Sequence, residues 1–198
     1  MATSRKPARP HALATLAIHG GEGPHAPGDP VVPPLVQSVN YVQEPGGDDN
    51  LMYTRYGNTP NADRIQKRIA LLEGAEAALM LASGMGATAC GLLALLRPGD
   101  HLLASQFIYG GTNRLFTEEF TQMGINVTLV DPFEPRAWRR RLRKETRAIF
   151  IESPVNPTCR VLDMRGVSLL TKELGIALVV DSTFASPVNF RPLEHGAD

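Results

Sequence analysis

The sequence is poor in cysteine, tryptophan and net charge, and each shortage closes off a class of function. Among 198 residues there are 2 Cys, Cys90 and Cys159. Two cysteines do not build a disulfide framework, and their spacing fits no zinc pattern, so no metal site is expected. A reduced compartment, the cytoplasm, is the simplest setting for them. Cys90 lies in an apolar helical stretch and is expected to act as a small core residue. The 20 Lys+Arg balance 20 Asp+Glu, so net charge draws the chain to neither nucleic acid nor acidic lipid. No apolar run reaches the roughly 18 residues of a membrane helix. No secretory apolar stretch follows the basic start at Arg5, Lys6 and Arg9, which reads as a disordered arm. What the chain does have is 43% hydrophobic residues, enough for a core, with 18 Gly and 16 Pro for tight turns.

Residues 1–58 read as an N-terminal arm, irregular and rich in Gly and Pro over 19–50. Residues 59–198 read as an α/β domain. Thr59-Pro60 opens a helix that places Ile65, Ile69 and Leu72 on one face and stops at Gly74. The pattern then alternates. Strands are expected at Ala77–Leu81, His101–Ala104, Ile125–Val130, Ala148–Ile151 and Ile176–Val180. Helices are expected at Ala87–Leu96 (buried), Thr112–Met123, Pro135–Arg143 and Met164–Leu174, the last capped by Asp163 and closed by Gly175. Continuous apolar strands separated by helices predict a parallel sheet covered on both faces. Ligands then sit beyond the strands' carboxyl ends, where loops start at Ser83, Ser105, Glu152 and Asp181.

Each of these loops holds a candidate. Ser83-Gly84-Met85-Gly86 opens a helix, so its free N–H groups can bind an anion such as phosphate; alone it is equally a plain tight turn. It is neither a G-x-G-x-x-G fingerprint, a Walker loop nor G-x-S-x-G. Asp181 ends an apolar strand and can face a cation, a metal or a protonated ring nitrogen, or can serve as a helix cap. Tyr109, beside two glycines, can lie flat on a ligand ring or simply pack half-buried. The prolines around Glu152 and Asn156 stiffen a loop that holds both side chains, or form a surface turn. Tyr53 and Arg55 lie in the arm; a guanidinium suits phosphate, though an exposed Arg needs no ligand. Arg136, Arg139, Arg140, Arg141, Arg143, Lys144 and Arg147 read as a solvated helix face, because Trp138 and Leu142 form an apolar stripe and no nucleic-acid motif accompanies them.

In order and spacing, five segments resemble the Cys/Met-metabolism family of pyridoxal-5'-phosphate enzymes. They are Tyr53-Thr-Arg55, Ser83-Gly-Met-Gly-Ala87, Tyr109-Gly-Gly-Thr, Glu152-Ser-Pro-Val-Asn156-Pro, and Asp181-Ser-Thr-Phe with Arg191-Pro-Leu-Glu-His-Gly-Ala-Asp198. The family includes cystathionine γ-synthase, cystathionine lyases, O-acylhomoserine sulfhydrylases and methionine γ-lyase, enzymes of methionine and cysteine metabolism. The resemblance runs from about His19 to the last residue. It implies the aspartate-aminotransferase-like fold (fold-type I), pyridoxal 5'-phosphate as cofactor and a small amino-acid substrate. It implies a homo-oligomer, at least a dimer and by family habit a tetramer.

The same resemblance implies roles. Ser83, Gly84 and Met85 would hold the cofactor phosphate by their backbone, and Tyr53 and Arg55 would reach the phosphate of a neighbouring subunit. Tyr109 would stack on the ring and assist proton transfer. Asp181 would pair with the ring nitrogen, Asn156 would contact the ring hydroxyl, and Thr183 would support the ring edge. Glu152 counts among the cofactor-binding residues.

Two departures stand out. Asn58-Thr59-Pro60 replaces the family's Asn-Pro-Thr, which predicts a local change at the helix start with no loss of cofactor. Gly111 stands where methionine γ-lyases carry Cys, which weighs against that activity. The family's Schiff-base lysine, in a Ser-x-x-Lys pattern past Asp181, matches none of Lys6, Lys67, Lys144 or Lys172. The expectation is the N-terminal portion of a transsulfuration enzyme that does not turn over alone. The alternatives are a non-catalytic binding or assembly piece of the same fold and, more weakly, a nucleotide-binding domain without its phosphate loop.

Overall fold

A computed structural model describes residues 12–43, 45–46, 52–134 and 136–198. The basic start Arg5, Lys6 and Arg9 lies outside the described residues, as does Pro135 of the expected fourth helix. The chain divides into two compact units, one up to Met80 and one from Leu81 to Asp198.

The first unit holds α1 (Leu13–His19), a 3-10 turn (Thr54–Tyr56) and α2 (Pro60–Glu73). Sequence reading placed no helix at α1, which is seven residues long and buries none of them. The α2 limits follow the sequence signals. Pro60 fits the first turn, where its missing N–H costs nothing, and Gly74 takes the left-handed conformation (φ 68°) that ends the helix. Thr59 makes no side-chain cap bond. Beside it, the Asn58 side chain accepts from the Tyr53 N–H (3.0 Å) and so ties the Tyr53–Arg55 turn to the helix start. Asn61 both accepts from the Val36 N–H (3.1 Å) and donates to its carbonyl (2.9 Å), anchoring the extended segment to α2.

The second unit begins with α3 (Gly84–Leu95) and is built on a four-stranded parallel sheet in the order β2-β1-β3-β4. The strands are β1 (His101–Ser105), β2 (Asn126–Val130), β3 (Thr146–Glu152) and β4 (Ala177–Asp181). The central strands are the most buried, and every residue of β1 is buried. Strand alternation splits their side chains between two cores. Leu103, Ile149, Ile151 and Leu178 pack with Trp138 of α6 (Ala137–Arg141) and with Val167 and Leu170 of α7 (Met164–Leu174). Leu102, Ala104, Ala148 and Phe150 pack on the other face with Leu92, Phe116 and Phe120. The helix carrying the two phenylalanines runs unbroken from α4 (Gly110–Arg114) through a π-helical turn (Leu115–Glu119) into α5 (Phe120–Gln122). A short α8 (Ser186–Asn189) and a 3-10 turn (Pro192–His195) follow β4.

Four expectations are corrected. Ala77–Leu81 is not a strand: it has no ladder partner among the described residues, and Leu79 is exposed. The expected buried helix starts three residues earlier, at Gly84, and is largely uncovered, with Leu92 its one buried residue. Cys90, on that helix, is exposed and is no core residue. The fourth helix is shorter than expected and ends at Arg141. Its arginines are solvated and paired: Arg139 with Glu173, Arg140 with Glu134, and nearby Arg147 with Asp100.

Candidate active site

The second unit has a cleft of about 200 Å³ lined by residues from its helix starts and strand ends. Gly84, Met85 and Thr88 come from α3, Tyr109 from the loop after β1 and Thr112 from α4, Glu152, Pro154 and Asn156 from the end of β3 and the loop after it, and Asp181, Thr183 and Phe184 from the end of β4 and the loop after it. The sheet register makes this meeting inevitable: Glu152 and Asp181 are partners on adjacent parallel strands, so their carboxylates leave the sheet side by side.

At the α3 start, Ser83 Oγ accepts from the Gly86 N–H (3.0 Å), and its carbonyl accepts from Ala87 (3.0 Å). The Ser83 hydroxyl therefore serves as the helix cap, with its own O–H still available to donate. The N–H groups of Gly84 and Met85 keep no protein acceptor among the described residues, and the helix dipole makes them attractive to an anion. Gly86 is crowded by its own cap, since a Cβ there would lie 3.1 Å from Ser83 Oγ.

Asp181 is half-buried. Its Oδ1 accepts from the Thr183 N–H (3.0 Å) and hydroxyl (2.6 Å), which fixes the carboxylate plane and leaves Oδ2 without a partner among the described residues. Thr183 thus acts on Asp181 directly. Glu152 is 4% exposed, and both its oxygens accept from backbone: Oε2 from Tyr109 and Oε1 from Asn156, each at 2.6 Å. Burial pushes the Glu152 carboxyl above its ordinary value; the Asn156 and Tyr109 amides oppose this, and the Asp181 charge adds to it.

Tyr109 is 49% exposed. The ring lies over Gly111, where a Cβ would come within 2.6 Å of Tyr109 Cε1 and 3.1 Å of Met85 Sδ. Thr112, 1% exposed, donates its hydroxyl to Met85 Sδ at 3.8 Å and joins the two helix starts.

Of the residues singled out from sequence, Gly84, Met85, Tyr109, Glu152, Asn156, Asp181 and Thr183 line one cleft. Tyr53 and Arg55 belong to the first unit, where the Arg55 guanidinium lies 5.9 Å from the Tyr53 ring centroid. Sequence reasoning missed Thr88, Thr112, Pro154 and Phe184 as lining residues. Helical spacing could have found two of them: Thr88 is one turn beyond Gly84, and Thr112 lies three residues beyond Tyr109. The loop expected to leave a strand at Ser83 instead follows an unpaired extended segment. Among the described residues, no lysine lines the cleft, and no cluster of His, Cys, Asp or Glu is arranged to hold a metal.

Comparison with known proteins adds an independent line. Residues 14–198 match the family of Cys/Met metabolism PLP-dependent enzymes. A probable cystathionine gamma-synthase of Herpetosiphon aurantiacus is 38% identical over 189 residues, covering 95% of this chain and 59% of that protein. An O-acetyl-L-homoserine sulfhydrylase of Leptospira meyeri is 39% identical over 197 residues, covering 93% of this chain and 43% of the relative. The crystal structure of metB from Corynebacterium glutamicum superposes with a TM-score of 0.88 at 33% identity, over 94% of this chain and 49% of that one. The chain thus spans about half the length of the relatives it matches. The fold agrees with this match over nearly the whole chain, which belongs to the Cys/Met metabolism PLP-dependent enzyme family.

Proposed function

We propose that the whole protein catalyses β- or γ-elimination, or γ-replacement, on a sulfur amino acid or homoserine ester, in the manner of cystathionine γ-synthases, cystathionine lyases and O-acylhomoserine sulfhydrylases. One observation carries this reading: an anion-binding helix start and a carboxylate with a free oxygen line the same cleft.

The residues fit pyridoxal 5'-phosphate by their chemistry. The Gly84 and Met85 amides suit a phosphate, the free Oδ2 of Asp181 suits a protonated ring nitrogen, and the exposed ring of Tyr109 offers a stacking face. Asn156 would contact the ring hydroxyl. Bound there, the cofactor supplies a sink for the electrons of a carbanion, and the protein supplies orientation and charge. Asp181 holds the proton on the ring nitrogen, and Thr183 keeps the carboxylate turned toward it. Tyr109 covers the ring and stands at the mouth of the cleft, where its hydroxyl can move a proton. Because no lysine lines the cleft among the described residues, this 198-residue stretch by itself binds the cofactor without turning over.

The protein acts in the cytoplasm as a homo-oligomer, a dimer of active sites or a tetramer. In it Tyr53 and Arg55 serve the phosphate of a neighbouring subunit. Cystathionine, O-acetylhomoserine and O-succinylhomoserine are the substrates to assay. The decisive experiment is cofactor titration of the whole protein and its Asp181→Ala variant. The variant is expected to bind the cofactor roughly ten- to a hundredfold more weakly, the equivalent of one charge-assisted hydrogen bond. Equal affinity would sink the proposal.

A further inference from the structure

Glu152 makes both of its hydrogen bonds to backbone, and the two donors sit on different loops. The Tyr109 N–H follows β1, and the Asn156 N–H follows β3; each is 2.6 Å from its own carboxylate oxygen. At 4% exposure the carboxylate is sealed from water, so these amides are its main solvation. The two amides are the better satisfied by the ionised form, in which both oxygens are pure acceptors, and protonation weakens the pair of bonds.

We infer that Glu152 is a positioning residue: its carboxylate staples the Tyr109 loop to the Asn156 loop and so fixes two ligand-facing side chains as a pair. This rests on the cofactor reading of the cleft and refines it, because Glu152 then acts through its neighbours. The ring of Tyr109 is located from the other side by the bare Gly111, so a small slip of its backbone moves the ring against Met85. The price of the arrangement is an anion held at low exposure beside Asp181, its register partner. That costs stability at neutral pH, and a residue with no task beyond packing would avoid the cost.

Glutamine discriminates sharply. Glu152→Gln keeps the size and offers one carbonyl oxygen and one NH2 group. Whichever way the amide turns, one backbone N–H meets a donor, and that loop is released. In 15N–1H spectra of the protein without cofactor, the Tyr109 and Asn156 amide protons are expected far downfield. In Glu152→Gln at least one moves upfield, and its hydrogen exchange quickens about tenfold, the weight of one buried hydrogen bond. A second measurement needs no variant. In an acid titration of the unmodified protein, the two amide signals move together with one shared midpoint, because one carboxylate serves both.

Unchanged amides in the variant, or separate midpoints, would overturn the inference. With the cofactor added, the Glu152→Gln protein should still bind it, with an altered absorption and circular-dichroism band from the displaced Tyr109 ring. An unaltered band would count equally against the inference. If the amides respond as expected but the unmodified protein takes up no cofactor, the staple stands and the cofactor reading falls.

Discussion

Lowering the pH from 7 to 5 should weaken the fold through a single buried histidine. His101 begins β1 at the end of the sheet away from the cleft, with no exposed surface. Its ring is gripped on both sides, Nδ1 at 2.8 Å from Thr146 Oγ1 on β3 and Nε2 at 2.9 Å from Thr128 Oγ1 on β2. The hydroxyls are committed as well: Thr146 accepts from the Arg143 N–H (2.9 Å) and Thr128 from the Arg143 guanidinium (3.0 Å). Burial, then the Arg143 charge, hold the imidazole neutral and lower its pKa from 6.5 to about 4, against a smaller opposite pull from Glu145.

The folded value lies below the unfolded one, so the neutral ring contributes stability that is fully present above pH 6.5 and drains away as the pH falls toward 4. That difference corresponds to roughly 3 kcal/mol in all, of which about 2 kcal/mol is gone at pH 5. Glu152, with its raised pKa, works in the opposite sense in acid, so the comparison must isolate His101. Urea unfolding at pH 7 and pH 5, at fixed ionic strength, should show that loss in the unmodified protein. It should be largely missing in His101→Gln, which keeps a donor and an acceptor but does not titrate. An equal pH slope in the two proteins would refute the reasoning.

Two glycines make further tests. Gly111→Ala places a methyl 2.6 Å from Tyr109 Cε1, so the ring must swing away. Cofactor affinity is expected to fall by about tenfold with a melting temperature within a few degrees of the original, as measured by titration and calorimetry. Gly196, at φ 89°, packs its bare Cα against Ser168, and a Cβ there would fall on the Ser168 hydroxyl and within 3.0 Å of Lys172 Nζ. Gly196→Ala should therefore cost about 2 kcal/mol in urea unfolding while leaving the cleft unaltered.

What could be read from the sequence was what local chemistry decides. The α7 limits follow from Asp163, which accepts from the Arg165 N–H at 3.1 Å, and from Gly175 in the left-handed region. The central strands announce themselves by their uninterrupted apolar runs, 102–104 in β1 and 148–151 in β3. What failed was whatever depends on a distant neighbour. Ala77–Leu81 has a strand's composition, but a strand also needs a partner, and composition does not supply one. The α3 helix is apolar on every side, which normally signals burial, yet only its Leu92 side reaches the core and Cys90 faces out. Periodicity reports where apolar groups lie on a helix and is silent on what covers them.

The cleft shows the same division at closer range. Asp181 could be placed at the ligand-facing edge of a parallel sheet from sequence; the Gly84 turn lines the same cleft although no sheet strand leads into it. The division of labour between the two acids did not follow. Both end apolar strands and are register partners, so sequence treats them alike. They differ in what reaches them. Asp181 meets one threonine, which satisfies a single oxygen and leaves the other to a ligand. Glu152, one methylene longer and nearly sealed, reaches two backbone amides, which occupy both of its oxygens. Those amides come from two loops, each four residues past the end of its strand, whose course depends on the glycines and prolines around them. Each acid has two donors within 3 Å, and the acid that binds is distinguished from the acid that braces by how they are shared: both fall on one oxygen of Asp181, one on each oxygen of Glu152, a distribution set by tertiary structure.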